Sequence, residues 1–164
     1  MNTLAMNAYD AFHRSWALVT AGEMGHFNTM TVSWGSVGCL WNKPVVTVYV
    51  RPSRYTFEFL EEYDCFTVSF YPEENKKMLG ILGSVSGRDC DKVALAGFDP
   101  VPFGGSVTFA QARTTLLCRK LYAQDMDPEQ IPGEVREKFY SEGETLHRIY
   151  IGQIIAVHGE ESEA

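Results

Sequence analysis

Hydrophobic positions along the chain fall in short blocks, most of them strand-sized. Ser15–Ala21 (SWALVTA) and Asn28–Trp34 (NTMTVSW) predict two strands, the second favoured by Thr31, Val32 and Ser33. Gly35-Ser36-Val37-Gly38 is expected to loosen the end of that strand, and Asn42-Lys43-Pro44 reads as a turn. Pro44–Val50 (PVVTVYV) is the strongest strand signal, a β-branched run without clear polar alternation that predicts burial on both faces. Further strands are expected at Cys65–Phe70, over Ser106–Asp125 as two strands broken near Arg113–Leu116, and at Leu146–Val157.

Helical spacing is confined to short segments between these strands. Thr56–Glu62 places Phe57, Phe59 and Leu60 inward, and Pro72-Glu73-Glu74 opens a helix whose apolar side is Met78, Leu79, Ile81 and Leu82, ending near Gly83. Asp91–Ala96 predicts one or two turns closed by Gly97, and Pro132–Ser141 a helix carrying Val135, Phe139 and Tyr140. Pro100–Gly105 is expected to be a loop and Glu160–Glu163 a solvated acidic tail. Six or seven strands with short helices predict a mainly β fold, a barrel or sandwich with helical insertions, as a single domain over residues 1–164. Neither GxGxxG nor GxxxxGK[ST] occurs, so the sequence offers no dinucleotide fingerprint and no P-loop.

Charge narrows the partners. The net charge is −7 and the sequence pI is near 5.1, which argues against nucleic acid and anionic membranes. A small anion remains compatible, because a few Lys and Arg can be concentrated at one site. The N-terminal residues carry no apolar signal segment, so a cytoplasmic protein is expected. Cys39, Cys65, Cys90 and Cys118 form no CxxC pair; no metal site is expected of them, and they read as small buried hydrophobes.

Four stretches carry candidate chemistry. In Val50-Arg51-Pro52-Ser53-Arg54-Tyr55-Thr56 a strand ends, two arginines follow, and hydroxyls open a helix. A helix N-terminus presents free N–H donors, so this segment suits a phosphate; equally, Ser53 or Thr56 caps the helix and the arginines are solvated. Gly83–Lys92 (GSVSGRDCDK) adds Ser86, Gly87, Arg88 and Lys92 as a second wall, or is a solvent loop. Asn28–Gly35 offers small hydroxyls and the Trp34 ring to a flat ligand, or is an ordinary strand. His147–Ile154 holds a histidine with no ligand-spaced partner; no Ser/His/Asp order or nucleophile elbow is present.

In this order, NTMTVSWG (28–35), PVVTVYVRPSRYTFEFL (44–60), CFTVSF (65–70), GSVSGRDCDK (83–92) and HRIYIGQI (147–154) resemble the flavin reductase-like, FMN-binding split-barrel family, most closely its flavoredoxin-like members. The resemblance implies a homodimeric FMN-binding split β-barrel with short helical insertions. It implies that the flavin ring lies along Asn28 and Thr31, Val32, Ser33 and Trp34. It implies that Arg51, Ser53, Arg54, Tyr55 and Thr56 meet the FMN phosphate, with Ser86, Gly87, Arg88 and Lys92 closing over it. Residue type and spacing alone place the anion site; the flavin comes only from the resemblance.

The activity so implied is an oxidoreductase: an NAD(P)H-dependent flavin reductase passing hydride from the nicotinamide to FMN and on to an acceptor. His147 and Tyr150 are the side chains expected near the nicotinamide, and none is assigned as a catalytic residue. Many such reductases carry Gly-Asp-His before the last strand, whereas Glu144-Thr145-Leu146 precede His147 here, and Gln153 replaces a frequent Glu after Gly152. The alternatives are a flavoredoxin-like electron carrier reduced by a redox protein partner, and a non-catalytic FMN-binding module.

Overall fold

The computed structural model describes residues 6–140 and 143–159; the acidic tail at 160–163 lies outside the described residues. Among the described residues, nine strands and five short α-helices alternate. After α1 (Ala8–Asp10) and one π turn (Ala11–Ser15), seven strands form one antiparallel sheet in the order β2-β1-β5-β8-β9-β4-β3. These are β1 (Ala17–Glu23), β2 (His26–Val32), β3 (Gly35–Leu40), β4 (Lys43–Val50), β5 (Cys65–Phe70), β8 (Thr114–Asp125) and β9 (Arg148–Gly159). The two outermost strands, β2 and β3, are joined only by Ser33 and Trp34, so the sheet curls until β2 touches β4. No ladder closes that seam among the described residues, which gives a β-barrel split along one side.

The barrel core comes from alternate residues of each strand, as the period-2 side-chain rule requires. Val19, Met30, Val46, Val48, Phe66, Val68, Leu116 and Ile154 meet inside it. The helices cover different surfaces: α2 (Tyr55–Glu62) plugs the barrel with Phe59 and Leu60. By contrast α3 (Lys76–Ser84) and α4 (Lys92–Ala96) pack Leu79, Leu82 and Ala96 against Leu18, Phe98 and Phe109 on the outside. The hairpin β6 (Pro100–Phe103) and β7 (Ser106–Phe109) completes that layer, and α5 (Gly133–Phe139) precedes β9.

Several expectations are corrected. Gly35–Gly38 belongs to a strand: β3 pairs in full register with β4, from Gly35↔Val48 to Leu40↔Lys43. Pro100–Phe103 is likewise strand β6 and not loop. In β4 one face is core (Val46, Val48, Val50), while Thr47 and Tyr49 on the other are half-buried, so the strand is not sealed on both faces. The β7–β8 break falls at residues 110–113. In α2, Phe59 is buried and Phe57 only half-buried. Only Cys118 is a buried thiol; Cys39 and Cys90 are exposed. No helix among the described residues is long and apolar enough to cross a membrane, and no cluster of His, Cys, Asp or Glu among them is arranged to hold a metal ion.

Candidate functional site

The β4–α2 junction and the α3–α4 connection meet at the open seam of the barrel. Chain direction explains this: β4 delivers Arg51 to its end, Arg54 takes extended backbone just before α2, and α3 leaves its last turn facing that corner. No side chain caps the first turn of α2, so its leading N–H groups remain available as donors. Thr56, fully buried, accepts a 2.7 Å hydrogen bond from Asn28 Nδ2, leaving the hydroxyl proton of Thr56 able to donate.

Gly87 closes this corner. A Cβ there would stand 2.2 Å from Asn28 Oδ1 and 3.2 Å from Tyr55 Cδ1, so only glycine lets the 83–92 segment lie this close. Lys92 is 4% exposed and donates from Nζ to Leu82 O at 2.9 Å and Val85 O at 3.2 Å, at the C-terminal end of α3. Burial, and secondarily the nearby Arg54 charge, lower its pKa to about 8. Arg54 donates to Gly83 O at 3.1 Å. Arg88 donates to Ser53 O at 3.2 Å, pairs with Glu58, and lies 4.8 Å over the Tyr55 ring. These bonds tie the two basic stretches together, so the 83–92 segment is packed against the β4–α2 junction.

The result is a small recess of about 100 Å³ lined by Asn28, Ser53, Arg54, Tyr55, Thr56, Ser86, Gly87 and Lys92. Through Met30, Ser53 and Arg54 it opens into a cleft of about 580 Å³ along Thr31, Val32, Ser33 and Trp34, with Tyr49, Arg51, Glu144 and His147 opposite. Thr31 contributes mainly backbone, since its hydroxyl donates to Leu79 O at 2.5 Å.

At the cleft mouth Arg51 pairs with Glu144 at 2.9 Å and donates to Phe139 O at 2.9 Å. The Tyr140 hydroxyl lies 2.8 Å from His147 Nδ1, and Trp34, 38% exposed, packs 5.0 Å from the His147 ring. Burial first, then the Arg51 and Arg54 charges, lower the His147 pKa to about 4. The imidazole is therefore neutral at physiological pH.

Most of the predicted residues gather at the seam, but Tyr150 does not, and Arg51 and Arg88 do not line the recess. Tyr150 is fully buried in the core, and its hydroxyl donates to Glu61 Oε1 at 2.6 Å; burial and Glu61 raise its pKa. It sits on the inward face of β9 with Ile154 and does not line the cleft. Arg88 borders the recess without lining it, and Arg51, expected at the phosphate, stands instead at the cleft mouth, held by Glu144 and Phe139 O. Tyr49, Tyr140 and Glu144 were not anticipated as site residues. For Tyr49 the signal was its parity in β4; the Tyr140–His147 bond leaves no trace in spacing.

The donor set fits a phosphate monoester: helix N–H groups, a buried hydroxyl, a guanidinium and a buried ammonium converge on a recess that a single Cβ at Gly87 would narrow. The cleft beside it, with one aromatic wall, has room for a flat ring system. A protein of this build is a split-barrel cofactor binder.

The flavin reductase like domain matches residues 9–164, and the chain belongs to that family. Solved structures share the fold. Flavoredoxin from Methanosarcina acetivorans is 24% identical, with 100% of this chain and 78% of that one covered at a TM-score of 0.71. An FMN-binding protein from Thermus thermophilus is 21% identical, with 99% and 82% covered at 0.68. Nitrilotriacetate monooxygenase component B from Bacillus cereus is 18% identical, with 89% and 69% covered at 0.70. No curated protein sequence matches the chain.

Proposed function

We propose that this chain binds FMN and works as a flavin reductase-like oxidoreductase taking electrons from NAD(P)H. One observation carries the reading: a phosphate-sized recess at an uncapped helix opens directly into a ring-sized cleft. When bound, FMN supplies the redox chemistry, accepting electrons as hydride and releasing them to an acceptor. The protein's part is to hold and shape. Arg54, Thr56, Ser86 and Lys92 would take the phosphate, and Gly87 admits it. The 31–34 backbone, Met30 and Trp34 would flank the ring. Neutral His147, oriented by Tyr140, offers a hydrogen-bonding edge at the mouth, where a nicotinamide would enter.

Stopped-flow mixing of the FMN-loaded protein with NADH or NADPH tests this. Loss of flavin absorbance with either is expected. Persistence of the oxidised spectrum with both would leave the second reading, an electron carrier reduced by a redox protein. Glu144 favours that second reading, since a carboxylate at the mouth opposes the pyrophosphate of a nicotinamide dinucleotide.

A homodimer completes the proposal. Strand β3 is an open edge, and Trp41 just beyond it is 62% exposed; a second copy would cover both. Light scattering on the purified chain should return twice the monomer mass, and a monomer at micromolar concentration would remove this element.

A further inference from the structure

His147 stands between two unlike surroundings. On one side is the cleft, which it lines with Trp34 and Arg51. On the other is Tyr140, 8% exposed, which does not line the cleft and whose hydroxyl lies 2.8 Å from His147 Nδ1. The residue is fixed on several sides. Its backbone carbonyl accepts from Met126 N at 3.0 Å, the Trp34 ring lies at 5.0 Å, and the Tyr140 ring meets the imidazole edge-on at 5.5 Å. Nδ1 is therefore committed to Tyr140, and Nε2 is the nitrogen left to the cleft. Among the described residues none bonds Nε2.

A neutral imidazole carries one proton on its two nitrogens, and the partner of one nitrogen decides the state of the other. The Tyr140 hydroxyl has two acceptors within reach, His147 Nδ1 at 2.8 Å and Met126 Sδ at 3.7 Å. An imidazole nitrogen is a far better acceptor than a thioether. The Arg51 guanidinium, 5.3 Å over the Tyr140 ring, polarises the phenol and strengthens its O–H as a donor. Burial meanwhile raises the Tyr140 pKa, so the phenol keeps its proton at physiological pH. The phenol thus donates to Nδ1, and the imidazole's own proton sits on Nε2, facing the cleft.

We infer that Tyr140 is a positioning residue that fixes His147 as an Nε2–H donor, and that this makes the mouth selective for a second ligand presenting an acceptor oxygen there, of the carboxamide class. The inference rests on a nicotinamide entering at the mouth, as proposed above. It adds the fixed proton and the discrimination that proton imposes: a group that can only donate, or that accepts poorly, finds no partner at His147. Arg51 and Arg54 line the same cleft and favour the same polarity, since both attract electron-rich atoms.

Two measurements on the FMN-loaded protein test it. Nitrogen-15 NMR of the histidine side chains, with His147→Gln to assign the signal, should show His147 in the Nε2–H form alone. Tyr140→Phe keeps the ring under Arg51 and removes only the hydroxyl, and should return a mixture of the two tautomers. Stopped-flow reduction by NADH and by its thioamide analogue reads the selectivity. Sulfur is a weak acceptor, so the parent should need about tenfold more analogue for half-saturation, the worth of one hydrogen bond. Tyr140→Phe should shrink that ratio, chiefly by raising the half-saturating NADH concentration. An Nδ1–H tautomer in the parent, an unchanged tautomer in Tyr140→Phe, or the same ratio in both chains overturns the inference while leaving the reductase reading intact. No reduction of the parent by either dinucleotide overturns the reductase reading and the selectivity with it, and the NMR measurement alone then decides where the proton sits.

Discussion

The phosphate recess and the cleft mouth are adjacent, yet they are assembled from different kinds of contact. In the recess, buried Asn28 of β2 bonds buried Thr56 of α2, buried Lys92 of α4 bonds the end of α3, and Gly87 packs against Asn28 with no space to spare. At the mouth, Arg51, Glu144 and Trp34 are half-buried or exposed and meet through side-chain pairs. Buried polar contacts are costly to break and fix a geometry; exposed pairs contribute little and exchange readily. The recess is thus built as part of the fold, and the mouth is added onto it.

Filling the recess should have the largest effect. In Gly87→Val the new side chain meets Asn28, which cannot retreat without abandoning Thr56. FMN affinity should fall at least ~100-fold, about 2.8 kcal/mol, with circular dichroism unchanged. Retention of FMN affinity in that variant would show that the phosphate lies elsewhere. Next in size is Thr56→Val, which leaves the buried Asn28 amide without its hydroxyl partner. It should cost about 1–3 kcal/mol of stability, read as a lowered denaturant midpoint in the flavin-free protein. A matched truncation at the mouth, Ser33→Ala, should move that midpoint far less.

The same division explains what the sequence made legible. β-branched runs mark β2, β4 and β5, and two arginines with hydroxyls over Arg51–Thr56 mark a candidate anion site, because those signals are local. Strands β3 and β6 were hidden: Gly35, Gly38, Pro100 and Pro102 have poor strand propensity, and only pairing with β4 or β7 makes them extended. Tyr150 was misplaced for a related reason. His147 precedes β9, while Tyr150 falls on the strand parity that points into the barrel, and parity is fixed only once the register with β4 and β8 is known. The Tyr140–His147 contact joins a helix end to a strand start, a juxtaposition that no periodicity encodes.

The buried charge of Lys92 gives a smaller effect. Lys92 has a pKa lowered to about 8 by burial, against 10.5 when unfolded. Between these values the unfolded chain holds a proton that the folded chain has released, so stability of the flavin-free protein rises with pH across that window. A bound phosphate favours the charged ammonium and should suppress this rise. FMN affinity should correspondingly fall a few-fold as pH passes about 8. Melting curves from pH 7 to 10.5, with and without FMN, check both, and Lys92→Met should flatten the difference. If FMN affinity stays level through this range in the parent chain, Lys92 serves α3 alone and is no part of the anion site.

The smallest effect belongs to the mouth. Glu144 is 44% exposed at the side chain and pairs with Arg51, so Glu144→Gln should change stability by only about 0–1 kcal/mol. FMN affinity should be nearly unchanged, because the recess does not include this residue. What should change is entry of a second ligand. Neutralising Glu144 leaves the Arg51 guanidinium uncompensated, and the mouth then attracts an anionic dinucleotide instead of opposing it. The half-saturating NADH concentration should drop a few-fold, with the limiting rate of flavin reduction held constant, and the gain should shrink as salt is raised. An unaltered NADH dependence would place nicotinamide entry away from Glu144. A slower limiting rate would instead mean that the carboxylate orients His147, making the mouth part of the reaction geometry and not merely its gate.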